Sequence, residues 1–256
     1  PLKELDKMWF NSKNDISIME YNLLRRQELK MPIDSLLDIY TSILHPDSFN
    51  SLRVIQFIQK KSPILDGYTS LRIREDYNLF NRAWYAMSSN ERSVINGNII
   101  TKSRNKAIRN KNLSLAIKVA NFSKSLYGKD SVNGKKYFDL NMMLYYEGIS
   151  DTTNSFSSII HLINENYPRS ISIRDSLRRI DSLNYAESMK IVRFDTIKTA
   201  TGIKINKHIG NNRLMITSAY TNWIKMGARY ICNNSNDINL LKQALEFSDW
   251  TCLTDT

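Results

Sequence analysis

Glycine and proline are scarce: the 256 residues include only 8 Gly and 5 Pro. Folds made of short strands spend both on tight turns, so the shortage argues for helices joined by short polar loops. Cysteine is scarcer still. Cys232 and Cys252 have neither the spacing of a redox pair nor that of a zinc knuckle. The histidines, His45, His161 and His208, lie in three separate regions, and no two stand four apart as paired zinc ligands on a helix do. Long apolar runs are missing too. Stretches such as Leu140 to Tyr146 fall far short of the roughly 20 residues that a membrane-spanning helix needs. No serine sits in a glycine-flanked nucleophile turn, and there is no glycine-rich phosphate loop. No catalytic residue, metal or cofactor is therefore assigned.

What is present fits a helical protein. Apolar residues make up 42% of the chain, ordinary for a folded domain. The length suits one large domain or a row of repeated units sharing a core, and we read 1–256 as a single helical-repeat domain with a sub-boundary near 200–212. Lys plus Arg exceed Asp plus Glu by 36 to 25, a net charge of +11. Such a balance favours polyanions or anionic surfaces, but the charges are spread along the chain, as on a solvated surface. The chain opens at Pro1 without Met, which reads as a trimmed or processed form that has lost any targeting segment.

Apolar residues recur at spacings of three and four almost throughout. Ile18, Tyr21 and Leu24 mark a first helix. Asp34 is placed to cap a second, carried by Leu37, Tyr40 and Leu44. His45-Pro46-Asp47-Ser48 separates a third, through Leu52, Ile55 and Ile58. A fourth is expected from about 69 through Ile73, Tyr77, Phe80 and Trp84, and a fifth near 91–109. Further helices are carried by Leu113, Ala116, Ile117, Ala120 and Leu126, ending at Gly128; by Tyr137, Leu140 and Leu144; and by Phe156, Ile159, Ile160 and Ile163. A long helix is drawn over about 172–199, then a loop containing Gly202 and Gly210, then a pair at 213–232 and 238–250. Val192-Arg193-Phe194 and Ile203-Lys204-Ile205 alternate, but each is too short to indicate a strand. That makes about ten helices, with pairs over 91–127, 130–167 and 213–250 of about 37 residues, a helical-hairpin repeat length.

Trp223, Gly227 and Tyr230 share one helical face, with the glycine where a partner helix must come close. With Met226 and Ala244, this pattern resembles a tetratricopeptide repeat. Met226 stands where leucine is usual, and the spacing from Tyr230 to Ala244 is about two residues short. The resemblance implies an all-α array of antiparallel helical hairpins, an α-solenoid. The segment Leu126-Tyr127-Gly128-Lys129-Asp130-Ser131-Val132 and the later Gln243-Ala244-Leu245-Glu246 are also similar to a narrower group. This is the helical region that follows the thioredoxin-like fold in Bacteroides-type periplasmic thioredoxin-family proteins. It implies an exported, periplasmic location. The family's redox fold and Cys-Xaa-Xaa-Cys pair are missing here, so no redox activity carries over.

The basic segment at 102–111 is the strongest candidate for a binding site. On a helix, Lys102, Lys106 and Arg109 lie together, opposite a stripe of Ile99, Ile100, Ser103 and Ala107. They could neutralise phosphates, or simply form the solvated face of an amphipathic helix, which is the reading preferred here. Arg174, Arg178 and Arg179 alternate with Asp175 and Asp181, suggesting local ion pairs. Asp34/Asp38 and Glu147/Asp151 could share faces for acid–base chemistry, but capping explains Asp34 and Asp151. Trp9, Trp84, Trp223 and Trp250 read as core. Thr221, Ile224, Ala228 and Ile231 occupy the positions that usually face the groove of a repeat and carry no cation. A non-enzymatic protein-interaction region is expected, with a protein or peptide as partner. Nucleic-acid binding is the second reading.

Overall fold

The computed structural model describes residues 4, 6–7, 15–167, 169–189, 192–199, 202–209 and 216–255; Trp9 and Gly210 lie outside them. The fold is helical. From residue 15 onward the described residues form twelve α-helices, one 3-10 turn and one β-hairpin. The chain divides into two compact units, Pro1–Ile149 and Ser150–Thr256. Residues 200–212 fall by number inside the second, and the pair drawn over 130–167 is split between the two.

The first unit holds α1 (Ile16–Glu28), α2 (Asp34–Ile43), a 3-10 turn (Pro46–Asn50), α3 (Leu52–Lys60), α4 (Tyr68–Arg72), α5 (Tyr77–Tyr85), α6 (Ser89–Arg109), α7 (Leu113–Ser125) and α8 (Ser131–Gly148). Side chains that terminate the helices explain most of these bounds. Asp15, Asp76, Asn112 and Asp130 each accept a backbone N–H of their helix's first turn, and Ser88 with Glu91 completes a reciprocal capping box. The Asp76 cap is why the single helix expected over 69–84 is two: α4 stops at Arg72 and α5 restarts at Tyr77. Scarce glycine has a cost at the other ends. Gly128 takes the left-handed conformation (φ 54°) that closes many helices, but Lys30, Ser62, Lys111 and Ser150 adopt it without being glycine.

Two apolar clusters fill this unit. One gathers Met19, Leu23, Leu37, Tyr40, Ile55 and Ile58; the other gathers Ile95, Ile99, Ala107, Leu115, Val119 and Tyr145. Ile99, Ser103 and Ala107 of the stripe expected on α6 are buried, with Ile95 completing it where Ile100 was expected; Ile100 is only partly buried. On α1 the buried face is instead Met19, Asn22 and Leu23, while Tyr21 and Leu24 are exposed. On α7 it is Leu115, Ala116, Val119 and Ala120, leaving Leu113 and Ile117 exposed.

The second unit holds α9 (Thr152–Asn166), α10 (Ile171–Met189), β1 (Val192–Thr199), β2 (Gly202–Ile209), α11 (Ile216–Asn234) and α12 (Ile238–Asp255). The helix drawn over 172–199 ends at Met189, and the segment after it pairs with the expected loop. β1 and β2 run antiparallel, with Val192 opposite Ile209 and Thr199 opposite Gly202. In that register Thr196 also lies opposite Ile205, and both strands are rich in β-branched residues, a content that favours extended chain over helix.

Gly227 on α11 is a point of close approach, as expected. A Cβ there would stand 2.9 Å from Ile159 Cγ2 and closer to Ile163 Cδ1, so the neighbour is α9. Tyr230 follows the same face, with its hydroxyl 3.0 Å from Ser155 Oγ and its ring edge-on to Phe156. Ala244 and Phe247 of α12 are buried. Arg178 donates to the carbonyls of Leu253 and Thr254 at the end of α12, so it serves that helix terminus, while Arg174 pairs with Asp175. Cys232 and Cys252 are free and exposed.

Candidate functional site

The basic row on α6 faces a cleft in the first unit and not open solvent. The cleft has a volume of about 1090 Å³, with α1 and α2 supplying much of one wall and 63–67 and the C-terminal half of α6 the rest. Lys102, Lys106 and Arg109 all line it. That corrects the solvated-face expectation for two of the three. Lys102 Nζ lies 3.0 Å from Asp34 Oδ1 and 3.0 Å from the Lys61 carbonyl, and Lys106 Nζ lies 3.2 Å from Asp66 Oδ1. Both lysines are half-buried; Arg109 is exposed.

Helical spacing sets this row. Positions 102, 106 and 109 differ by four and three, so their side chains leave one face of α6, about a quarter-turn from the stripe that enters the core. The opposing carboxylates come from elements whose ends meet that face. Asp34 is the first residue of α2, and no side chain caps that helix: Ile33 precedes it. The expectation that Asp34 caps is therefore wrong. A carboxylate already inside the first turn has the helix dipole in its favour without making the cap bond, which leaves its oxygens free for Lys102. Asp151, in contrast, caps as expected, accepting from the Asn154 backbone N–H at 3.1 Å.

Every carboxylate pointing into this region from α2 or the 64–67 turn is engaged. Asp38 accepts from the Thr69 backbone N–H at 3.0 Å and from its hydroxyl at 2.6 Å. Thr69 in turn meets Thr41 at 3.0 Å, so Asp38 is part of a buried polar chain bracing α4 against α2. Beside Lys102, Lys61 is 3% exposed and bonds Gln27 Oε1 at 2.7 Å. Burial depresses its ammonium below the ordinary lysine range, an effect partly opposed by Glu20 and Glu28 and reinforced by Lys102. Arg104, on the next face of α6, is likewise lowered by burial and donates to Asn141 Oδ1 at 3.0 Å.

Sequence reasoning missed one polar residue of the wall. Asn22 of α1 is fully buried and lines the cleft. Its Oδ1 accepts from Arg26 Nε at 2.9 Å, while its Nδ2 has no partner. A buried donor left unmet costs about 1–3 kcal/mol. The signal was present: between Met19 and Leu23, an asparagine occupies a position the helical period assigns to the core.

Among the described residues, no group of three or more His, Cys, Asp or Glu could hold a metal ion, and no helix is long and apolar enough to cross a membrane. The four positions taken as groove-facing in the second unit (Thr221, Ile224, Ala228, Ile231) are buried; they are packing positions, which is why none carries a charge. Trp84, Trp223 and Trp250 are half-buried. Trp84 lies parallel to Phe80 with ring centroids 6.4 Å apart, and Trp250 is tilted against Tyr220 at 5.9 Å. The cleft thus offers paired charges of both signs, exposed amides at Asn105 and Asn110, and apolar surface from Met31, Leu36 and Ile39. This arrangement can hold a ligand. No protein-family model matches the chain, and neither does any curated protein or solved structure.

Proposed function

We propose that this protein is a non-enzymatic helical-repeat interaction region, kin to tetratricopeptide arrays and to the helical regions of thioredoxin-family proteins, and that the α2–α6 cleft is where it holds a partner. The observation that carries the reading is the mixed charge of the cleft. Lys102 and Lys106 stand against Asp34 and Asp66 beside apolar side chains, the combination found at protein–protein contacts. The volume, about 1090 Å³, is at the upper end of the roughly 300–1,000 Å³ usual for small molecules and leaves room for a short peptide segment. Nucleic acid is the weaker reading, since Lys102 and Lys106 are already paired with Asp34 and Asp66, and a phosphate backbone laid along α6 would find only Arg109 of the basic row to neutralise it.

The test is selection from a random peptide display library on the whole chain, repeated on Asn105→Trp. Asn105 is exposed and lines the cleft, so the indole fills the space without touching the core. Peptides that bind the natural chain and not the variant support the reading. A selection that yields none, beside RNA binding that survives physiological salt, would replace it with the nucleic-acid reading. Kinship with thioredoxin-family proteins is checked on the genomic reading frame, where an upstream export signal and Cys-Xaa-Xaa-Cys domain are expected.

A further inference from the structure

The cleft's charges do not cancel at its rim. Lys102 and Lys106 are matched by Asp34 and Asp66, but Lys30 and Arg109 also line the cleft, are exposed, and have no ion pair among the described residues. In the wall stands Asn22, whose amide oxygen is taken by Arg26 and whose amide N–H group is buried with nothing to receive it. All three groups donate. What they lack is an acceptor, preferably an anionic one.

We propose that the cleft takes an acidic peptide segment of a partner protein, with carboxylates on Lys30 and Arg109 and a backbone or side-chain carbonyl on Asn22 Nδ2. This rests on the interaction reading above and adds the polarity of the ligand. An acidic segment supplies all the missing acceptors at once. A basic segment could still offer Asn22 a backbone carbonyl, but it would put like charge against Lys30 and Arg109. The apolar surface of Met31, Leu36 and Ile39 favours a peptide over a bare anion, because burying the apolar atoms between its acidic groups adds to binding.

The experiment uses fluorescein-labelled hexaglutamate and hexalysine with the whole chain, followed by fluorescence anisotropy at low and physiological salt. Hexaglutamate should bind saturably, and hexalysine at least about tenfold more weakly. Arg109→Glu should weaken hexaglutamate by at least about tenfold, and Asn22→Asp by a similar factor, because it keeps the acceptor for Arg26 but replaces the donor with an oxygen. Lys118→Glu, the same charge change at an exposed site on α7 outside the cleft, should shift affinity by less than about twofold. Circular dichroism checks that Asn22→Asp folds; if it does not, Arg109→Glu, at an exposed helix end, decides alone. Equal losses in Lys118→Glu and Arg109→Glu, or tighter hexalysine binding, would overturn the proposal. Display selection separates the two levels. Neutral or basic peptides lost in Asn105→Trp would refute the acidic ligand while leaving the interaction reading intact, whereas no cleft-dependent peptide would remove both.

Discussion

At Gly227 the α9 side chains pack so closely against α11 that a single methyl group would overlap Ile163 and press on Ile159. Gly227→Leu should cost roughly 1–3 kcal/mol. Gly227→Ala should cost less, because alanine returns about 1 kcal/mol of helix propensity. Adding Ile163→Val, which removes the methyl nearest the new Cβ, should recover part of the alanine loss, a coupling that a thermal-denaturation double-mutant cycle would reveal. Strict additivity would mean the two residues do not touch. Lys111 presents the opposite case. It is exposed and held at φ 49°, where a side chain is strained and glycine is not, so Lys111→Gly should stabilise by roughly 0.5–1 kcal/mol. A lower melting temperature would mean that the lysine side chain does something at that helix end that the backbone argument omits. Gly227 was legible from its place between Trp223 and Tyr230. Gly148, where a Cβ would lie 2.8 Å from Ile108 Cγ1, was not, because nothing in the spacing around it marks a crossing point.

At the scale of helices, termini are written locally and faces are not. Asn112 accepts the Leu115 N–H at 3.0 Å; Asn112→Ala should lose about 1 kcal/mol, and Asn112→Asp should lose little. Three carboxylates at helix starts extend the same point to pH. The Ser88 backbone N–H and the Lys60 ammonium hold Glu91 down at about 2, and the Asn133 and Asn154 side-chain and backbone N–H groups hold Asp130 and Asp151 below the usual carboxylate range. Their folded values lie below the unfolded ones. Their stabilisation is therefore complete only above about pH 5 and is lost progressively as pH falls toward 2. Melting temperature should drop over that window, and the drop should shrink in Glu91→Gln. On α1 the face was misread by about one residue, and on α7 Ala116 and Ala120 are buried as expected but Leu115 and Val119 replace Leu113 and Ile117. Each helix carries two apolar stripes, and only packing decides which goes inward. Met19 and Leu23 win over Tyr21 and Leu24, and Asn22 is carried inward with them. The β-hairpin failed to show for another reason. Its alternating runs begin directly after a helix whose apolar residues recur at helical spacing, so the long-period signal masked the short one.

For the molecule as a whole, composition was enough to set the helical class, since 8 Gly and 5 Pro in 256 residues leave little turn material for sheets. Circular dichroism should show a dominant helical spectrum with only the small sheet share of one hairpin. The division between Ile149 and Ser150 left no composition shift to find. Thiol titration of unfolded, unreduced protein should find two groups per chain, since Cys232 and Cys252 are free; a single intrachain bridge would contradict the α11–α12 geometry. The basic row illustrates how far a site can be read without its partners. Sequence put Lys102, Lys106 and Arg109 on one face, but their counter-charges, Asp34 and Asp66, come from residues 68 and 40 positions away, and no spacing rule links them.

The central claim is that the α2–α6 cleft is the surface by which this protein holds a partner segment. Hydrogen–deuterium exchange on the whole chain, with and without a peptide selected from the display library, tests it most directly. The account predicts slowed exchange confined to α2, to residues 63–67 and to the C-terminal half of α6, and lost in Asn105→Trp. Protection that falls on α11 and α12 and leaves α2 and α6 unchanged would contradict it.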